Sequence, residues 1–241
     1  KSGTVELKNG SATVGGVTMD TPGFLQCPAR VTVEGREYSG IGAAGFEPLK
    51  IRPSAEPPGD FLQFWERGKA ALARIPMDAR TILLPERCTA TVNVYHVNLQ
   101  GWNNSRLYGI LCVPKKPGKY PALLRVPGAG VRPYQGDIAL AERGMVTLQI
   151  GIHSIPATMD PAVYNDLFTG ALNGYVSFNL DNRDTYYFRR VYLGCIRAVD
   201  FLESLPETDA GRIAVTGSSQ GGALSFVTAG LDSRIKYLGV Y

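Results

Sequence analysis

Six consecutive residues, Gly217-Ser218-Ser219-Gln220-Gly221-Gly222, hold the densest chemistry in this chain. They contain a G-x-S-x-G pattern directly after the apolar run "RIAVTG" and directly before a helix-forming stretch that starts at Gln220. A serine at a strand-to-helix turn of this kind projects its hydroxyl from the top of a sheet, where it can attack an acyl carbon. Glycines on either side lack a Cβ, so strand and helix can approach each other closely. The start of the helix adds unpaired N–H groups and partial positive charge, both suited to a developing oxyanion. Ser219 is therefore the candidate nucleophile, with Ser218 beside it in the pocket vicinity. A glycine-rich turn without chemistry is the alternative reading.

An oxyanion site needs two main-chain donors. One comes from the residue after the nucleophile, here Gln220; the other comes from a glycine-rich loop after an earlier strand. Pro127-Gly128-Ala129-Gly130 follows the strand-like "YPALLRV", which makes the Ala129 N–H the second candidate, against the alternative of an ordinary turn. A general base and an acid are also required, in the order serine, then acid, then histidine. His96 and His153 are the only histidines, and both precede Ser219. Asp232 follows at the end of the next helix rather than after a later strand. Neither partner is assigned. Both are expected beyond Tyr241 together with further strands, so the chain reads as part of a longer protein. His153 follows a strand and opens a long loop, so it borders the pocket; a structural histidine bonded to loop carbonyls is preferred there to a base.

The elements that must position these residues change along the chain. Residues 1–50 show strand-and-turn grammar, with Asn9-Gly10 and Glu34-Gly35 at hairpin positions, and predict a small antiparallel, sandwich-like β-domain. A Pro-rich linker follows. A helix is then expected from an Asp60 N-cap to about Ile75, closing a connecting region over 51–89. From 90 to 241, "ATVNVYHVNL" alternates like a half-exposed strand. Later runs such as "YPALLRV", "MVTLQI" and "RIAVTG" are continuously apolar and separated by helices. That is the pattern of a doubly wound, mostly parallel α/β sheet of the α/β-hydrolase kind, incomplete at its C-terminal end. Between "MVTLQI" and the long helix "RRVYLGCIRAVDFLESL" lie about 35 residues, 151–185, with little periodicity, a length usual for a lid or pocket wall.

Composition excludes several classes. Apolar residues make up 44% and charged residues 19% of the 241, ample for a packed core. The balance of 25 basic against 21 acidic groups gives only +4, with no run of like charge, which argues against nucleic-acid binding. No stretch approaches the roughly 18 apolar residues of a membrane span. Cys27, Cys88, Cys112 and Cys195 are widely spaced and form no CxxC pair, so neither a metal site nor a disulfide framework is expected, and buried free thiols are. The start at Lys1 suggests that a leader or tag has been trimmed.

"DFLQFWERGKAALARIP" and "RDTYYFRRVYLGCIRAVDFLESLPETDAGRIAVTGSSQGG", with their separation, resemble the acetyl xylan esterase / cephalosporin C deacetylase family of carbohydrate esterases. The resemblance spans roughly residues 55–241, and the N-terminal β-domain is similar to an extra module of longer members from gut-type bacteria. It implies serine-dependent removal of acetyl groups from acetylated xylan, xylo-oligosaccharides or small acetyl esters, with no metal and no cofactor. It also implies an exported bacterial protein and, often, a homo-oligomer. Gly217 to Gly222 carry the family's nucleophile onto Ser219 and one oxyanion N–H onto Gln220. Two departures stand out: Pro127-Gly128-Ala129 replaces a His-Gly-Tyr sequence, and Gly151-Ile152-His153 replaces Arg-Gly-Gln.

Two rivals use the same residues. A prolyl-oligopeptidase-like peptidase shares the serine turn, but about 50 N-terminal residues cannot form a propeller. A non-catalytic carbohydrate-binding protein could retain the fold and lose the chemistry.

Overall fold

The computed structural model describes residues 2–241, in two compact units, Lys1–Gly59 and Asp60–Tyr241. The first unit contains one long antiparallel hairpin, β1 (Gly23–Val33) and β2 (Arg36–Phe46). Its two-residue turn puts Glu34 at φ 50 and Gly35 at φ 76. Positive φ at both positions matches the twist of paired strands, which is why Glu-Gly serves here. Asn9 (φ 52) and Gly10 (φ 76) make a similar turn, but pairing there stops at a single Lys8–Ser11 bridge.

The second unit opens with α1 (Phe61–Ala73), which buries Phe64, Gly68 and Leu72, one stripe at four-residue spacing. Asp60 does not cap it with its side chain as the sequence predicts. The carboxylate instead receives two N–H donors from Arg183, both at 2.7 Å, and this cation holds its pKa below the usual carboxylate value.

A seven-stranded sheet follows, built from β3 (Arg80–Leu83), β4 (Val92–Gln100), β5 (Arg106–Pro114), β6 (Tyr120–Arg125), β7 (Val146–Ile150), β8 (Thr208–Gly217) and β9 (Ile235–Val240). Its order is β3-β4-β5-β7-β6-β8-β9. Pairings from β3 to β7 are antiparallel, and those from β7 through β6 and β8 to β9 are parallel. Helices cover both faces. On one side, α2 (Ile138–Glu142) supplies Ala141 to a cluster with Val92, Val94, Ile110 and Cys112. On the other, α4 (Tyr187–Ser204) packs Val191, Cys195, Ala198, Val199 and Leu202 against Leu111, Val113, Leu124 and Leu148. Alternate residues of β5 thus serve opposite faces, which explains why that strand is apolar throughout.

Arg197 of α4 is 4% exposed and donates to the carbonyls of Leu72 (2.7 Å) and Ile75 (2.9 Å), which leave the end of α1. The Leu72 carbonyl also accepts from the Ile75 N–H (3.0 Å), so the buried guanidinium adds a second donor there and supplies one to the Ile75 carbonyl. Of the four thiols, Cys112 and Cys195 are buried as expected; Cys88 is half-buried and Cys27 exposed, because Cys27 lies on the hairpin. All four are free, and burial pushes the Cys195 thiol up to about 12.

The 151–185 stretch holds more structure than its lack of periodicity predicts: α3 (Pro161–Thr169) lies within it. Asp160 starts this helix by accepting from Ala162 N–H (2.8 Å), and Pro161 fits its first position. Tyr164 is its only buried residue, so no apolar stripe betrays it in the sequence.

Candidate functional site

Strands β7, β6 and β8 are neighbours and parallel, so their C-terminal ends open at one edge of the sheet. Crevices beyond such ends are where open α/β sheets bind ligands. The loops there begin at Gly151, Val126 and Ser218, and they bring His153, Ala129 and Ser219 to the same edge.

Ser219 joins β8 to α5 (Gln220–Leu231) with φ 56 and ψ −122, a conformation that non-glycine residues resist. Its side chain is exposed, as is that of Ser218. The surrounding glycines are needed for space. A Cβ on Gly217 would lie 2.5 Å from the Gly221 carbonyl oxygen, and one on Gly222 would lie 2.9 Å from a Val240 methyl. A Cβ on Gly221 would lie 2.7 Å from the Val126 carbonyl oxygen and 3.0 Å from the Pro127 carbonyl carbon. One on Gly128 would come within 3.3 Å of the Ser218 carbonyl. The Pro127–Gly130 loop therefore lies directly against the serine turn.

Main-chain bonds hold that turn closed. Ser219 N–H donates to the Tyr241 carbonyl (3.0 Å), and Gly221 N–H donates to the Ser218 carbonyl (2.8 Å). The N–H groups of Gln220 and Ala129 donate to no group among the described residues. These are the two donors that the sequence nominates for an oxyanion.

His153 is 8% exposed and fully bonded. Its Nε2 lies 3.0 Å from the Gly130 carbonyl oxygen, which can only accept, so Nε2 carries the proton. Nδ1 then accepts from the Tyr187 hydroxyl at 2.6 Å. Burial lowers the pKa of the ring, and the cations of Arg190 and Arg132 add to this, against the raising effect of the Gly130 carbonyl. The neutral imidazole is thus tied to a loop carbonyl and a phenol, with no lone pair free for a serine. His96, on β4, accepts from Ala157 N–H (3.2 Å) and stacks on Tyr108. Neither histidine hydrogen-bonds Ser219 among the described residues.

Asp232 sits at the far end of α5, roughly 18 Å along the helix at 1.5 Å per residue. There its carboxylate is bonded to Arg234 (2.6 Å). Among the described residues no group of three His, Cys, Asp or Glu side chains could hold a metal ion. No helix among them is long and apolar enough to cross a membrane.

One contact of the site carries no sequence signal. The Gln220 side chain and Tyr175, from the 151–185 loop, meet at 2.7 Å. They are 45 residues apart, and neither belongs to a spacing pattern that would pair them.

A mostly parallel sheet of this order, covered on both faces and turning from β8 into α5 through a positive-φ serine, is an α/β-hydrolase fold. Residues 47–241 match the family model for acetyl xylan esterase (AXE1), and the chain belongs to that family. Acetyl esterase Axe7A of Xylanibacter ruminicola is 37% identical over 239 residues, which cover 97% of this chain and 54% of that protein. An acetyl xylan esterase from Paenibacillus sp. R4 superposes with a TM-score of 0.66 at 33% identity, over 78% of this chain and 60% of that one. Acetyl xylan esterase 1 from Thermoanaerobacterium sp. shares the fold, with a TM-score of 0.63 at 23% identity, over 75% of this chain and 57% of the other. The chain thus spans about half the length of the curated relative it matches. These relatives do not favour the peptidase or the non-catalytic alternative.

Proposed function

We propose that the protein containing this chain is a serine esterase that removes acetyl groups from acetylated xylan, its oligosaccharides or small acetyl esters. The observation that carries this reading is Ser219 at φ 56 and ψ −122, exposed between β8 and α5 and pressed against the Pro127–Gly130 loop. Its Oγ attacks the acetyl carbonyl and gives its proton to a base. The oxyanion takes hydrogen bonds from the N–H groups of Gln220 and Ala129. The base returns the proton to the departing sugar oxygen, leaving an acetyl-serine that water hydrolyses to acetate.

Since both nitrogens of His153 are engaged, the base and its acid belong to residues outside these 241; the chain's 54% share of its curated relative supports that placement. Acetylated carbohydrate as substrate class rests on the names of the relatives, and export and assembly into a homo-oligomer belong to the same reading. In the full-length protein, Ser219→Ala is expected to lower p-nitrophenyl acetate turnover by roughly 10⁴-fold or more while the fold persists. Turnover that survived the substitution would refute the assignment.

A further inference from the structure

The loop between β7 and α4 reaches the serine turn through Tyr175. Tyr175 opens a short 3-10 turn behind Gly174, whose φ is 68, and is only 3% exposed. Its hydroxyl lies between the two segments that bear the candidate oxyanion donors. The O–H donates to Gln220 Oε1 (2.7 Å), and the phenol oxygen accepts from Gly130 N–H (3.2 Å). Gln220 also points its Nε2 at the Pro127 carbonyl (3.5 Å), at the other end of the same loop. The Tyr175 ring stands edge-on to His153 at 4.7 Å, and the His153 Nε2–H holds the Gly130 carbonyl.

Gly130 is therefore held at its N–H by a phenol and at its carbonyl by an imidazole. The peptide that Tyr175 grips directly follows the one carrying the Ala129 N–H, so the grip sets the direction of that donor. The same hydroxyl fixes the side chain of Gln220, whose main-chain N–H is the other donor.

We propose that Tyr175 is a positioning residue whose phenol clamps the Ala129 loop onto the first turn of α5, keeping both oxyanion donors at one spacing. This rests on Ser219, Gln220 and Ala129 forming the acyl-transfer site. Donors aimed in advance at a charge that exists only in the transition state need no reorganisation during the reaction. A misplacement of about 1 Å can cost on the order of 10²-fold in rate. Loss of the clamp therefore lowers kcat and kcat/KM together and leaves KM unchanged.

The test uses the full-length protein and p-nitrophenyl acetate. Tyr175→Phe, which deletes only the hydroxyl, is expected to lower kcat about 10- to 100-fold with KM unchanged. Gln220→Met, which removes one of the phenol's two partners, lowers kcat by less. The double variant falls no further than Tyr175→Phe alone, because both changes break one shared network. An unchanged kcat in Tyr175→Phe, or losses that multiply in the double variant, would overturn the clamp. Should Tyr175→Phe fail to fold, Gln220→Met decides, and an unchanged kcat there overturns it equally. Ser219→Ala is measured alongside. Its survival would remove the reading on which the clamp depends, whereas full kcat in Tyr175→Phe beside an inert Ser219→Ala enzyme would remove the clamp alone.

Discussion

At Ser219 the polypeptide holds an L-residue where glycine would rest more easily. Backbone strain of this kind costs about 1–3 kcal/mol, and it persists only where surrounding structure enforces it. Here the enforcement comes from the Gly221 N–H bond to the Ser218 carbonyl and the Ser219 N–H bond to the Tyr241 carbonyl. Ser219→Gly is expected to be more stable than Ser219→Ala by about 1 kcal/mol, the relieved strain exceeding the added flexibility of the unfolded chain. Urea unfolding of the two variants measures this, and an alanine variant at least as stable as the glycine one would show that no strain is stored. The turn at Ser219 was legible in the sequence because its requirements are local: a strand before it, a helix after it, and glycines where no Cβ fits. The contact of Tyr175 with that turn was not, because its partners Gly130 and Gln220 each lie 45 residues away along the chain. His153 was legible in part: its contact with a loop carbonyl was expected, but the Tyr187 hydroxyl that occupies its other nitrogen was not.

Among the elements, α5 shows how one helix can carry two kinds of glycine. A Cβ at Gly221 would meet the main chain of Val126 and Pro127 at 2.7 and 3.0 Å, whereas at Gly230 it would meet nothing within 4 Å. Gly221→Ala must push the Pro127–Gly130 loop away from the serine turn, at a cost of about 1–3 kcal/mol, and is expected to depress turnover with it. Gly230→Ala fills open space in a helix and is expected to stabilise by up to about 1 kcal/mol without touching activity. Thermal unfolding and acetyl-ester kinetics on both variants check the pair; a Gly221→Ala enzyme with full turnover would mean that the loop does not need its place. The strand and helix on either side of Ser219 were readable because continuous apolar runs mark strands buried on both faces. Two other elements were not: β3, whose four residues are all exposed, and α3, which buries only Tyr164. Both lack the periodic apolar face on which sequence reading depends.

For the whole molecule, the sheet divides its labour. Its antiparallel side, β3-β4-β5, extends the sheet, while its parallel side, β7-β6-β8-β9, places three loops at one edge. The parallel class followed from the buried apolar strands alone. The insertion of β7 between β5 and β6 did not, because strand order depends on pairings that no local pattern encodes. Because the chain spans 54% of its curated relative, catalysis is a property to be measured on the full-length protein. Incubation of that protein with a fluorophosphonate, followed by peptide mapping in a mass spectrometer, asks whether Ser219 is the nucleophile. One covalent phosphonyl group is expected, on the Ser219 hydroxyl, formed as acetyl-ester turnover disappears. A label on any other residue, or lost activity with Ser219 unmodified, would contradict it.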